Sequence, residues 1–184
     1  MTTTSITTDP GSTTTLAARV AAYGAAAWAL AFAGVNLYLQ AVGIDGLRSH
    51  WTAFTVVNLG VVALKVFGAA VAVGTVHRGG RRVPHHLVSV GAWGAAATLL
   101  LYTGYGLVAT VVSGELFTWI LAGGTFGMPV LAYLSFFAVG GGLFAVAARQ
   151  HQRRLGARRI WAVVGALGAP LLLGAVLFGA SLVF

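Results

Sequence analysis

The chain has no cysteine, which excludes disulfides, thiolate metal sites and thiol catalysis. Carboxylates are nearly as scarce: Asp9, Asp45 and Glu115 stand alone against 11 basic residues, and lysine occurs once, at Lys65. Charged residues make up only 8% of the chain. A soluble domain carries about 25%, so too few polar side chains remain to cover a water-soluble globule. Two further patterns are missing. The amino end lacks the basic region and cleavage site of a secretory signal, and the alternating strands of a membrane barrel do not occur.

What fills the chain instead is apolar sequence, 58% of all residues, in unbroken runs of twenty or more. Runs of that length cross a hydrocarbon core of about 30 Å. The expected fold is all-α: a polytopic helical membrane bundle with transmembrane helices at residues 19–43, 52–76, 87–112, 128–148 and 160–184. These five helices form one transmembrane domain over residues 16–184, preceded by a threonine-rich tail (1–15) expected to be disordered.

The +8 net charge is concentrated. Arg78, Arg81 and Arg82 lie in one short loop (His77–His86), and Arg149, Arg153, Arg154, Arg158 and Arg159 in another (Arg149–Arg159). Clusters of this kind between apolar runs set topology and attract anionic lipid headgroups, so nucleic acid is not the expected partner. With both loops cytoplasmic, five spans put the amino end in the cytoplasm and the carboxyl end outside, in the inner (plasma) membrane.

Individual spans carry their own signals. Ala21, Ala25, Ala29 and Ala33 form a small-residue stripe that lets another helix approach closely, and Trp28 reads as core packing. Ser113–Phe126 is too apolar for an ordinary loop and reads as a short helix or re-entrant turn. Pro129 suits the first turn of the fourth span, and Pro170 is expected to bend the fifth. Shifted by 74 residues, VGAWGA (Val90–Ala95) overlays VGALGA (Val164–Ala169), an internal similarity that alanine- and glycine-rich helices also reach by chance.

Lys65 is the sharpest feature, because it falls roughly 20 Å below the outer end of its helix, at mid-membrane depth. An ionisable residue there is a functional candidate by default, although a structural lysine bonded to neighbouring helices reads equally from the sequence. Asn36 and Asn58 fall about 10 Å below the outer ends of their helices and can face each other. Gln40 lies one turn above Asn36, and Tyr102, Tyr105 and Tyr133 fall at similar depth. Together these residues outline a polar pocket opening outward, floored by Lys65, with Asp45 and Glu115 near its rim.

No catalytic constellation emerges, and no cofactor is implied. The five histidines lie in or beside loops, which disfavours a haem within the bundle, and no span contains the acid that a proton pump needs. The run Ala63–Gly106, with its lysine, its Arg-Arg-x-Pro turn and its Leu-Tyr-x-Gly close, resembles a group of small multi-spanning actinobacterial membrane proteins known only as a domain of unknown function. Gly141–Ala148 looks similar too. The resemblance implies the architecture and carries no activity.

Two functions are therefore expected to compete. One is binding of a lipid, quinone-like or small anionic ligand at Lys65, as a small transporter or channel subunit. The other is an accessory or structural subunit that meets a membrane partner or a second copy through the alanine stripe. An enzyme is the least expected.

Overall fold

The computed structural model describes residues 14–42, 51–77, 83–114, 127–156 and 158–183. These contain five helices and no strand: α1 (Leu16–Val42), α2 (Trp51–Gly74), α3 (His85–Val112), α4 (Gly127–Leu155) and α5 (Arg159–Val183). Four segments, Leu16–Val42, His85–Val112, Leu131–Leu155 and Arg159–Val176, are long and apolar enough to cross a membrane. In α2 the apolar segment is Asn58–Gly74, which is shorter. The tail to residue 13, the loop at 78–82 and the stretch 115–126 lie outside the described residues, as do Asp9, Asp45 and Glu115.

The expected alanine stripe is the spine of the core. Ala18, Ala21, Ala22, Ala25, Ala26, Ala29 and Ala33 of α1 are all buried. All but Ala33 pack with Ala69 and Ala72 of α2, Val76 just past its end, Ala96 of α3 and Phe144 and Ala147 of α4. Alanine favours the helix, and its single methyl brings backbones close enough for dispersion to hold them. With the stripe covered inside the chain, it offers no face to a partner.

Glycines mark the tightest approaches. A Cβ on Gly140 would lie 2.6 Å from Trp28 Cε2, so the α4 glycine is the seat for the α1 tryptophan. Between α3 and α5 the contact reaches the backbone: a Cβ on Gly165 would collide with the Val90 carbonyl, and one on Gly94 would lie 2.7 Å from Ala169 Cβ. The similar segments VGAWGA and VGALGA therefore pack against each other. Helix α5 rests chiefly on α3, whereas α4 touches α1, α2 and α3.

One boundary differs from expectation. The second basic stretch was expected as a loop from Arg149, yet α4 continues through Arg149, His151, Arg153 and Arg154 to Leu155. No residue there breaks a helix. The stop comes at Gly156, whose φ of +59° suits the residue just past a helix end. Pro129 falls in the first turn of α4, and α5 runs unbroken through Pro170.

Candidate functional site

On α1, Phe32, Asn36 and Gln40 recur every fourth residue and share one face. On α2, Thr55, Asn58 and Lys65 recur at spacings of three and seven, also along one face. The two helices run antiparallel, so the faces meet rung by rung. Gln40 Nε2 donates to Thr55 Oγ1 (2.9 Å), and Asn58 Nδ2 donates to Gln40 Oε1 (3.1 Å). Asn58 Nδ2 also reaches the Asn36 carbonyl (3.0 Å), while Asn36 Nδ2 donates to Asn58 Oδ1 (2.9 Å). At the foot of this ladder Lys65 Nζ donates to Asn36 Oδ1 (2.9 Å).

The lysine reaches Asn36 because helical side chains lean toward the helix amino end. Lys65 lies about 20 Å along α2 from Trp51, and its stem climbs back toward Asn58. The ammonium also sits over the Phe32 ring, 3.3 Å from the centroid. Both partners are neutral: an amide oxygen, and the negative face of a ring quadrupole. None of the described residues is acidic, so no carboxylate among them balances this charge.

Phe32 joins the ladder to an aromatic cluster. Its ring meets Phe137 (5.1 Å between centroids), Phe136 (5.4 Å), Trp28 (5.7 Å) and Tyr133 (6.4 Å). Tyr102 of α3 closes the group against Phe137 at 4.9 Å. Trp28 is anchored within it by an indole N–H donated to the Phe136 carbonyl (2.9 Å), the core role expected of it.

The structure thus brings together Lys65, Asn36, Asn58 and Gln40, and sets Tyr133 and Tyr102 beside them through Phe32 and Phe137. Tyr105, one turn further along α3 than Tyr102, is 76% exposed. Phe32 and Thr55 were not anticipated. Their spacings from Asn36 and Asn58, four and three residues, were the available signal. The proposed rim residues, Asp45 and Glu115, lie outside the described residues.

A second polar group gathers at the arginine-rich end. His151 is 4% exposed, with Nδ1 3.1 Å from the Thr75 carbonyl and Nε2 3.4 Å from that of His85. Arg154 donates to the Thr75 carbonyl and to Thr14 Oγ1, both at 2.6 Å. The start of α1, the end of α2, the start of α3 and the end of α4 are therefore tied at one place. His86 stacks on Trp161 (5.1 Å), which brings the start of α5 to the same end. Arg149, Arg153, Arg158 and Arg159 are exposed there, whereas Arg78, Arg81 and Arg82 lie outside the described residues. No group of three metal-ligating side chains occurs among the described residues. No family model, curated protein or solved structure matches the chain.

Proposed function

We propose that the protein is a multi-pass inner-membrane protein of five spans that binds an anionic ligand at Lys65, as a small transporter or channel subunit. In this reading the arginine-rich end and the amino terminus lie in the cytoplasm, and the carboxyl terminus lies outside. The resemblance of Ala63–Gly106 to the actinobacterial group belongs to the same reading. One observation carries the ligand assignment: a lone ammonium on an apolar helix, held by an amide oxygen and a phenyl ring with no described carboxylate beside it. A cation in hydrocarbon is costly until an anion joins it. Asn36 fixes the ammonium, Asn58 fixes Asn36, Gln40 fixes Asn58, and Tyr102 and Tyr133 border the approach.

The test is thermal unfolding of the purified protein with a panel of anions from acetate and inorganic phosphate to long-chain carboxylates. At least one should raise the wild-type midpoint and leave Lys65→Met unshifted. Equal shifts in both proteins would remove Lys65 from ligand binding.

The accessory-subunit reading loses the surface that first suggested it, since the alanine stripe is buried within the chain. Orientation has its own test. Because the chain has no cysteine, a single Arg153→Cys replacement reports on one position. Its modification by an impermeant maleimide in intact cells would reverse the assigned threading.

A further inference from the structure

We propose that the anion taken up at Lys65 is a long-chain monoanionic amphiphile, of the fatty-carboxylate type, that arrives sideways from the apolar phase with its tail along the Tyr133–Phe136 face. This rests on the reading of Lys65 as an anion site and narrows it to one ligand class.

Charge sets the head group. The site offers a single ammonium, and the residues that hold it are amides, a hydroxyl and rings. A monoanion neutralises that charge. A dianion would leave one negative charge uncompensated in apolar surroundings, which is strongly unfavourable. One ammonium N–H is committed to Asn36 and one flank is covered by Phe32. The remaining N–H groups have no hydrogen-bond partner among the described residues and can bind a carboxylate oxygen.

Packing sets the route. The glycine contacts that seat α2 against α3 and α4 lie on the arginine-rich side of Lys65: Gly68 against Phe144, Gly91 against Val71 and Gly74 against Val88. Beyond Lys65, α2 is bonded to α1 through the ladder. On its other flank the aromatic cluster presents half-exposed Tyr102, Tyr133 and Phe136. Leu64 and Val66, which flank Lys65 on α2, are also exposed. An anion arriving this way meets apolar and aromatic side chains before the ammonium. A strongly hydrated ion would lose its water along that path without replacement hydrogen bonds, whereas an acyl chain gains with each methylene it buries.

The experiment uses the full chain in phosphatidylcholine nanodiscs, with a diazirine-bearing long-chain carboxylate as photoprobe and mass-spectrometric mapping of its adducts. Adducts should concentrate on α1, α2 and α4 around Phe32, Lys65 and Tyr133. Excess laurate should abolish them, and dodecanol or acetate should not. Lys65→Gln should weaken laurate competition at least about tenfold, a loss of roughly 1.4 kcal/mol, while Lys65→Arg retains it. Tyr133→Ser should weaken laurate competition, by less than Lys65→Gln does.

Acetate competing as well as laurate would overturn the chain-binding claim and leave the Lys65 anion site standing. Dodecanol competing as well as laurate would overturn both. So would adducts spread evenly over lipid-facing residues of all five helices with no effect of Lys65→Gln.

Discussion

The two ends of the bundle are built from different materials. At the arginine-rich end, alanine and glycine bring the helices close, as far as backbone contact where α5 meets α3, and His151 and Arg154 tie the helix ends through main-chain carbonyls. At the opposite end, α1 and α2 are joined by side-chain amides, and rings rather than methyl groups fill the space between α1 and α4. The first arrangement has no slack, because a backbone carbonyl cannot rotate out of the way. The second is made of side chains with rotamers to spare. Rigidity and the proposed ligand access thus fall at opposite ends of the same helices.

That contrast can be broken by substitution, and the largest effect is expected where backbones touch. Gly165→Ala places a methyl group against the Val90 main chain and should cost about 3 kcal/mol in thermal or denaturant unfolding. Its neighbour Gly168 has open space around it, so Gly168→Ala should be neutral or stabilise by up to about 1 kcal/mol. Equal effects from the two alanines would show that α5 is not seated on α3 in this register.

His151→Leu comes next. It removes an imidazole that faces the carbonyls of Thr75 and His85, of which a neutral ring donates to one, while Arg154 still serves Thr75; the change should cost about 2 kcal/mol. Asn58→Leu removes three hydrogen bonds from the ladder, each typically worth about 0.6 kcal/mol between apolar helices, and should cost about 1 kcal/mol after the freed amides find other partners. A loss larger than that of Gly165→Ala would invert the comparison. Smallest of all is Lys65→Met, expected to move stability by less than about 0.5 kcal/mol, since it removes a buried charge together with one hydrogen bond.

Depth along a helix was legible in the residues, and rotation about its axis was not. Asn36 and Asn58 stand at matching distances from the turn between α1 and α2, so an antiparallel hairpin makes them meet. Lys65, seven residues from Asn58, follows onto the same face. Tyr102 was expected a little deeper than Tyr105, and it is Tyr102 whose ring meets the cluster. The rotation of α3 is set by Gly106 against Leu134 and Gly94 against Ala169, contacts that depend on two other helices. The alanine stripe announced its own burial through its four-residue period. Charge concealed the end of α4, since a run of arginines looks like a loop while the backbone turns only at Gly156.

The spacing of the tertiary bonds along the chain also orders the assembly of the protein during synthesis. The rungs joining α1 to α2 span between 15 and 29 residues, so that pair can latch as soon as Lys65 has left the ribosome. Trp28 has to wait for Phe136, 108 residues downstream, before its indole finds an acceptor. Until then the newborn hairpin carries an unsheathed tryptophan, which the arrival of Gly140 covers. The last helix then docks on a platform that is otherwise complete.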